Sequence, residues 1–322
     1  MFETGPLWGG ETLREMDTRM QPAIVAKELV KRYGKLTALD RVSFEVGRGE
    51  LFGMIGPDGA GKTTLFRLLT TLLVPDSGEA TVDGLNIVAD YKEIRRRVGY
   101  MPGRFSLYPD LTIEENLAFF AALFGVAIED NYDLIAPIYR QIEPFRKRRA
   151  GKLSGGMKQK LALCCALIHR PSVLFLDEPP TGVDAVSRSE FWDVLAGLRV
   201  QGVSMLVSTP YMDEAGRCDR VALINGGKIL EIDTPQRIVE GFGEPLYALS
   251  GADMFGVLGA ARRCRGVRTC YPFGEVHHLV TTQDFDRAAF VAQLSAEGFR
   301  DVKVTPVSAG IEDVFIKRME NE

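Results

Sequence analysis

The sequence has no apolar run long enough to cross a membrane. A spanning helix needs about 18 or more consecutive apolar residues, whereas the longest run here, from Leu117 to Ile128, has 12. The first twenty residues lack the apolar segment of a secretory signal, so we expect residues 1–21 to be a loose tail. We therefore expect a chain that does not itself cross the bilayer.

An excess of one charge and a cysteine framework are also missing. The 39 Lys and Arg residues nearly balance the 43 Asp and Glu residues, which leaves a net charge of −4 and no overall field that would attract nucleic acid. The five cysteines form no Cys-x-x-Cys pair, which indicates buried thiols in a reducing compartment rather than disulfides or a zinc site. No nucleic-acid partner is expected, and any polyanion must be bound by a local site.

Alternating strand and helix patterns are present instead. Residues 42–46 alternate apolar and polar side chains, as in a half-buried strand, whereas residues 51–55 and 173–176 are short apolar runs typical of buried parallel strands. Thr112 followed by Glu115 predicts a capped helix start. Strands that alternate with helices predict an α/β fold.

Glycine and proline interrupt this pattern at residues 241–245. We expect a large α/β domain over residues 22–243 and a small α+β domain over residues 244–322. In the second domain, strands are predicted at 246–249 and 278–281, and helices at 285–297 and 311–318.

A phosphate-binding loop follows the apolar run at residues 51–55. Residues 56–63 fit the pattern G-x-x-x-x-G-K-[ST] between a strand and a helix. Glycines let backbone N–H groups surround a phosphate, Lys62 adds a cation, and the hydroxyl of Thr63 can bind Mg²⁺. The predicted nucleotide-binding residues of this loop are Gly56, Pro57, Asp58, Gly59, Ala60, Gly61, Lys62, Thr63 and Thr64.

Two carboxylates follow the apolar run at residues 173–176, at the strand end where α/β sheets bind ligands. Asp177 is predicted to hold Mg²⁺ together with Thr63, and Glu178 to orient or deprotonate the attacking water. Alternatively, the two acids only cap the next turn. The phosphate loop in the same chain favours the catalytic interpretation.

The segment Leu-Ser-Gly-Gly-Met-Lys-Gln at residues 153–159 resembles the signature loop of ATP-binding-cassette (ABC) ATPases. The resemblance extends over residues 24–240 and implies a P-loop ABC cassette that uses ATP and Mg²⁺. It also implies that two cassettes face each other, so that the signature of one contacts the ATP held by the other. The residues implied to act across this interface are Ser154, Gly155, Gly156 and Gln159, with Asp184 in a loop that touches the opposite subunit.

Further landmarks resemble the ATP-binding subunits of bacterial exporters whose permeases are separate polypeptides. Tyr33 matches the aromatic residue that stacks on adenine, with core or edge packing as the alternative. Residues 311–315 resemble the end of the small C-terminal domain in many of these subunits. The resemblance implies transmembrane permease partners, a peripheral place on the cytoplasmic face of the cell membrane, and docking through Phe105 to Tyr108. The apolar helix predicted from Ile113 is either a core helix or part of that docking surface.

Two landmarks of the family are replaced. Gly103 stands where the family has a glutamine, and Pro210 stands where it has a switch histidine. Proline cannot donate a hydrogen bond, so we expect MgATP to bind well but to be hydrolysed slowly, unless a group such as Arg104 compensates. Asp58, where the family commonly has Asn, adds a negative charge to the loop.

These replacements suggest an asymmetric pair with a second, more standard ATP-binding subunit, although a homodimer remains an alternative. A nucleotide-gated regulatory or non-transport ABC ATPase with little turnover is the second functional hypothesis. The basic runs 95–97 and 146–149 could be solvated faces, subunit contacts, or contacts with nucleic acid or lipid headgroups.

Overall fold

The computed structural model describes residues 21–104, 106–179 and 182–320, so most of the predicted tail and Phe105 lie outside it. The chain divides into two compact units, the first ending at Pro235 and the second beginning at Gln236. The predicted boundary between residues 243 and 244 lies after this point. Within the second unit, Nζ of Lys317 donates a hydrogen bond to the carbonyl of Phe242 (2.5 Å), which ties the segment before that boundary to the C-terminal unit.

The first unit consists of two sheets and the helices around them. Its strands are β1 (Ile24–Tyr33), β2 (Leu36–Val46), β3 (Leu51–Ile55), β4 (Ser77–Val82), β5 (Leu85–Asn86), β6 (Val98–Met101), β7 (Val173–Asp177), β8 (Ser204–Thr209), β9 (Arg220–Asn225) and β10 (Lys228–Asp233). Its α-helices are α1 (Lys62–Leu69), α2 (Tyr91–Arg97), α3 (Ile113–Phe124), α4 (Tyr132–Ile142), α5 (Gly155–Leu167) and α6 (Ala185–Val200).

The larger sheet brings the chemically important strand ends together. Its strand order is β10-β9-β3-β8-β7-β6. Strands β9, β3, β8, β7 and β6 run parallel to one another, whereas β10 pairs antiparallel with β9. The second sheet, in the order β2-β1-β4-β5, is antiparallel. Because parallel strands end at one edge, the segments that follow β3, β7 and β8 lie side by side. The alternation predicted at residues 42–46 is confirmed in β2.

The core of this unit holds the phosphate loop in place. Helix α1 buries Leu65, Leu68 and Leu69 on one side, and Phe66 packs edge-to-face on Phe175 of β7, with ring centroids 6.2 Å apart. Burial of each such side chain contributes about 1.5–3 kcal/mol. The start of α1, where the loop ends, is therefore anchored to the strand that carries the two carboxylates.

Helix α3 is only half buried. The predicted capping box at its start is confirmed, since Thr112 N donates to Oε2 of Glu115 (2.8 Å) and Glu115 N donates to Oγ1 of Thr112 (3.2 Å). Its inner side buries Ile113 and Leu117, whereas the outer side exposes large apolar residues. Neither alternative alone describes α3, because it contributes to both core and surface.

The second unit is a small α+β fold. An antiparallel sheet in the order β12-β13-β11-β14 packs with helices around Leu279, Phe290 and Leu294. The elements that begin in or after the boundary region are α7 (Pro235–Glu240), β11 (Leu246–Ser250), α8 (Met254–Ala261), β12 (Val267–Phe273), β13 (Val276–Thr281), α9 (Arg287–Ala296), β14 (Lys303–Pro306) and α10 (Ile311–Glu320). The four elements predicted here correspond to β11, β13, α9 and α10. Over the described ranges, no helix combines the length and apolarity that a membrane span requires.

Candidate functional site

The phosphate loop connects β3 to α1, and two of its glycines are required by close packing. A Cβ on Gly56 would lie 2.1 Å from the carbonyl oxygen of Ile224 in β9. Gly61 has a φ of 104°, and a Cβ there would lie 2.5 Å from the carbonyl oxygen of Ala38. No other residue fits either position without displacing backbone, so these glycines set the path of the loop.

Lys62 is held inside this loop. Its side chain is 3% exposed, and Nζ donates hydrogen bonds to the carbonyl oxygens of Gly56 (2.7 Å) and Pro57 (2.9 Å). The same ammonium group lies 3.2 Å from Oε1 of Glu178. The predicted phosphate-binding cation and the predicted catalytic carboxylate therefore meet directly.

Ser208 of β8 positions both acids. Its hydroxyl donates to Oδ1 of the buried Asp177 (2.7 Å). The backbone N–H of Glu178 reaches both the carbonyl (3.1 Å) and the hydroxyl oxygen (2.9 Å) of Ser208, and Glu178 has a left-handed φ of 51°. The sequence reasoning missed Ser208, although two hydroxyl residues, Ser208 and Thr209, at the end of the buried strand β8 were a visible signal.

The residues predicted to hold Mg²⁺ supply the oxygen ligands that this ion prefers. Thr63 offers a hydroxyl and Asp177 a carboxylate, and Mg²⁺ usually completes its octahedron with phosphate and water oxygens. The negative charge of Asp177 also acts on its neighbour Tyr100. The pKa of Tyr100 is raised to about 12, mainly because its side chain is buried and secondly because of the charge of Asp177. Among the described residues no three His, Cys, Asp or Glu side chains converge on one point.

A cavity of about 310 Å³ lies above the phosphate loop. Tyr33, which is 45% exposed, forms part of its wall, although it precedes the phosphate loop in the sequence and belongs to β1. The structure thus brings the ring of Tyr33, the phosphate loop and Glu178 to one cavity. The residues that line the cavity are Tyr33, Leu36, Thr37, Ala38, Gly59, Gly61, Lys62, Thr63, Thr64, Glu178, Gly226 and Gly227.

The turn between β9 and β10 forms a further wall of this cavity. Gly227 N donates to the carbonyl of Ala60 (3.0 Å), and the carbonyl of Gly227 accepts from Asp40 N (2.9 Å). A Cβ on Gly227 would lie 2.7 Å from the carbonyl oxygen of Ala38. The hairpin of β9 and β10 therefore packs its turn against the phosphate loop.

Both replaced landmarks lie beside the acids or the loop. A Cβ on Gly103 would be 3.0 Å from the carbonyl oxygen of Asp177 and 3.7 Å from Cβ of Glu178. Pro210 directly follows Thr209, whose carbonyl accepts from Gly56 N (3.3 Å). Neither residue has a side-chain hydrogen-bond donor.

Nearby charges offer no evident substitute for these donors. Arg104 is exposed, and in the described part of the chain it forms neither a hydrogen bond nor an ion pair. Asp58 is also exposed and does not line the cavity around Lys62. Among the described residues, neither Arg104 nor Asp58 therefore supplies a donor to the cavity around Lys62.

The signature segment begins helix α5 and is open to the surface. Ser154 caps the helix by accepting from Met157 N (3.4 Å). A Cβ on Gly155 would lie 3.0 Å from Cγ1 of Val183, and one on Gly156 would lie 2.9 Å from Oγ of Ser187. The two glycines let this helix start pack closely on the segment that leads into α6.

Asp184 belongs to the same surface, whereas Gln159 does not. Asp184 is exposed and caps α6, accepting from N (2.9 Å) and Oγ (2.8 Å) of Ser187. Gln159 is buried, and its Oε1 has no hydrogen-bond partner among the described residues. Its side chain lies in a cavity that is open to the surface and is also lined by Gly103 and Gly155, because residues four apart on a helix lie on the same face.

Comparison with known proteins gives the family. The ABC transporter model matches residues 39–181. Nod factor export ATP-binding protein I of Burkholderia thailandensis is 39% identical over 217 residues, which are 66% of this chain and 71% of that protein. The chain belongs to the family of ABC transporter ATP-binding proteins. The predicted P-loop ABC cassette is thereby confirmed.

Other relatives of the cassette agree with this. The "Probable multidrug ABC transporter ATP-binding protein YbhF" of Escherichia coli K12 is 42% identical over 217 residues, but these are 67% of this chain and only 38% of that protein's length. A solved structure of an ATP-binding subunit of an ABC transporter has a TM-score of 0.63 and 28% identity, and the match covers 69% of this chain and 93% of that one.

Proposed function

We propose that this cassette binds and hydrolyses MgATP as the ATP-binding subunit of an exporter whose permease is a separate polypeptide. The observation that carries the proposal is the meeting of Lys62 and Glu178 in the cavity lined by Tyr33 and the phosphate loop. The names of its relatives, for multidrug transport and Nod factor export, favour export. The cassette would work on the cytoplasmic face of the cell membrane, held there by its partner.

Each residue of the site has a distinct proposed task. Lys62 binds the phosphates, and Tyr33 stacks on the adenine. Thr63 and Asp177 hold Mg²⁺, which neutralises charge on the phosphates when bound. Glu178 orients a water and accepts its proton, because Ser208 fixes its backbone and a phosphate on Lys62 would free its carboxylate.

A second cassette is needed because the signature does not reach the protomer's own cavity. Ser154 and Gly155 are exposed, and the wall around Lys62 includes neither them nor Asp184. We propose that the signature residues Ser154, Gly155 and Gly156 contact the ATP held by a facing cassette, at the N-terminus of α5 where an anion is stabilised. Such an interface is self-complementary or nearly so.

The proposed partner is a different, more standard ATP-binding subunit. Gly103 and Pro210 leave this protomer's site without two donors, and loss of one preorganised donor costs about 10²–10³ in rate. The signature is intact and would complete the partner's site. A homodimer with slow turnover is the alternative pairing.

The permease is proposed to dock on an exposed apolar surface of two aromatic rings and one leucine, which we call the aromatic patch. Its members are Tyr108, Phe119 and Leu123, which are 48%, 40% and 64% exposed. Tyr108 packs edge-to-face on Phe119, with ring centroids 4.8 Å apart. Asn116 holds the backbone of Tyr108 through two hydrogen bonds, so the patch is rigid. Large exposed apolar groups on a fixed backbone are typical of protein interfaces.

A tagged chain isolated from detergent-solubilised membranes with MgATP tests the proposal. We expect a permease and a second cassette to co-purify, and permease to stimulate single-turnover hydrolysis. Recovery of the chain alone, with hydrolysis unaffected by membrane subunits, would favour the second hypothesis, a nucleotide-gated regulatory ATPase. The asymmetric pair would be wrong if the purified chain turned over ATP at a normal transporter rate and Glu178→Gln abolished that rate.

A further inference from the structure

Four consecutive cationic residues, Arg146 to Arg149, are exposed beside the aromatic patch. We call them the basic loop. The chain as a whole is acidic, yet around this loop cations outnumber carboxylates. The cations are Arg140, Arg146, Lys147, Arg148, Arg149 and Lys152, and the carboxylates on the neighbouring elements are Asp110, Glu114, Glu115 and Glu143.

The backbone of the basic loop is fixed along the segment that follows Tyr108. The carbonyl of Arg148 accepts from Ile113 N (3.2 Å), and the carbonyl of Arg146 accepts from Glu114 N (3.1 Å). Residues 150 and 151 donate to the carbonyls of residues 111 and 109, both at 2.8 Å. These bonds use only main-chain atoms, so the cationic side chains project from a rigid support next to the proposed permease dock.

Few of these charges are used within the protein. Among the described residues, Arg146 is the only member of the basic loop with a carboxylate within 4.0 Å, at 3.6 Å from Glu114. Arg149 helps to lower the pKa of Glu115, after hydrogen bonds from Thr112. The guanidinium of Arg148 lies 4.5 Å above the ring of Phe145, which is itself 38% exposed.

The other basic run of the chain is different. Arg95 donates to Oγ1 (2.8 Å) and to the carbonyl (2.7 Å) of Thr71. Arg97 pairs with Asp83 (3.3 Å) and Glu93 (3.0 Å). That run holds secondary structure together, whereas the basic loop leaves cations and an aromatic ring together at the surface.

We propose that Phe145 and the basic loop bind anionic phospholipid headgroups at the membrane surface beside the permease. The proposal rests on the proposed function, since docking through Tyr108 would bring this loop to the bilayer. Each cation near an anionic membrane strengthens binding, and Phe side chains that accompany Lys and Arg enter the boundary between headgroups and acyl chains. The positive charge of the basic loop and its position next to the proposed permease dock therefore favour anionic phospholipids as its ligand.

Sedimentation with permease-free vesicles tests the proposal on the full chain. We expect binding to phosphatidylglycerol-containing vesicles, little binding to phosphatidylcholine alone, and loss of binding at high salt. Each removed cation should lower the partition coefficient by about fivefold. The variant K147Q/R148Q/R149Q should therefore lose about a hundredfold, and Phe145→Ala a smaller factor on the same vesicles.

A matched control removes three exposed cations elsewhere. Arg41, Arg96 and Arg263 are 71%, 80% and 71% exposed, and R41Q/R96Q/R263Q changes the net charge equally. Equal loss in both triple variants, or none in either, would overturn the proposal. Circular dichroism checks that both fold.

Competitors identify the source of the phosphate. Soluble glycerol phosphate should not displace the chain from vesicles, and displacement would assign the loop to a free anion instead. Tighter, loop-dependent binding to duplex DNA or RNA would assign it to nucleic acid. Because the vesicles contain no permease, the two proposals can fail separately. Loss of vesicle binding with successful permease co-purification would overturn only the lipid proposal, and vesicle binding without co-purification would count only against the proposed function.

Discussion

The ammonium group of Lys62 lies 3.2 Å from the carboxylate of Glu178, although the two residues come from different strand ends of the sheet. Lys62 starts α1 after β3, and Glu178 follows β7, with β8 between them. Ser208 of β8 holds the backbone of Glu178 (2.9 Å). The contact thus depends on three strands, and it joins a phosphate-binding cation to a potential base.

Replacing Lys62 should weaken nucleotide binding. Lys62→Met keeps much of the buried volume but removes the cation, and charge-assisted hydrogen bonds contribute about 1.5–3 kcal/mol each. We expect the Kd for MgATP to rise by about 10- to 100-fold in calorimetric titration. Lys35→Met, at an exposed lysine nearby, is the control and should bind normally. Unchanged affinity in the Lys62 variant would remove the cavity from the nucleotide site.

Restoring the missing donors should accelerate hydrolysis. Pro210→His and Gly103→Gln would each restore a hydrogen-bond donor near the γ-phosphate, where negative charge develops in the transition state. One such donor contributes a factor of about 10²–10³ in rate. The glutamine must fit a position where Cβ lies 3.0 Å from the Asp177 carbonyl, so the histidine variant is the cleaner test. Single-turnover rates should rise in Pro210→His and fall again when Glu178→Gln is added. A rate that does not change would show that another group limits turnover.

Removing the ring of Tyr108 should uncouple the permease from the ATPase. Tyr108→Ala takes away an exposed ring that packs on Phe119 and lies outside the nucleotide cavity. Stimulation of hydrolysis by the permease should fall, while the Kd for MgATP stays the same. Phe255→Ala, at a ring that is 91% exposed in the second unit, should retain stimulation. A parallel loss of nucleotide affinity would count against a docking role.

The second unit should depend on a buried carboxylate. Asp313 is fully buried and accepts from Tyr271 Oη (2.7 Å) and Gly310 N (2.7 Å), with His278 Nδ1 at 2.5 Å. Burial first, and then the hydrogen bond to Asp313, raise the pKa of Tyr271, so its hydroxyl stays a donor at neutral pH. Asp313→Leu leaves these groups unpaired and should lower the free energy of unfolding by about 3–5 kcal/mol.

Calorimetry measures this change. Tyr271→Phe removes only one hydrogen bond and should cost about 0.5–1.5 kcal/mol. If Asp313→Leu were no more destabilising than Tyr271→Phe, the buried network would not be a source of stability. Retained MgATP binding by both variants would place the effect in the second unit.

Local motifs made much of the nucleotide site predictable. The phosphate loop, Asp177 and Glu178 each follow an apolar run, and a parallel sheet puts such strand ends at one edge whatever the remaining sequence. Ser208 and the turn at Gly226 and Gly227 could not be predicted as site residues, because nothing local says which strand ends are neighbours.

Other features depended on side-chain direction. Gln159 belongs to the signature segment by sequence, but packing against other segments buries it, whereas Ser154 stays exposed. The apolar helix after Thr112 had two open interpretations, and packing divides it between core and surface. Likewise, two similar basic runs differ in their surroundings: Arg95 and Arg97 bond to neighbouring elements, whereas in the basic loop only Arg146 has a carboxylate within 4.0 Å among the described residues.

The sequence by itself determined the chemistry: a glycine loop with Lys62, paired acids, a signature helix start, and the absence of donors at Gly103 and Pro210. Only the tertiary structure decided which of these groups meet. Residue type and spacing along one strand or helix are local properties, whereas the 3.2 Å approach of Lys62 to Glu178 and the exposure of the basic loop arise from strand order and packing between distant segments.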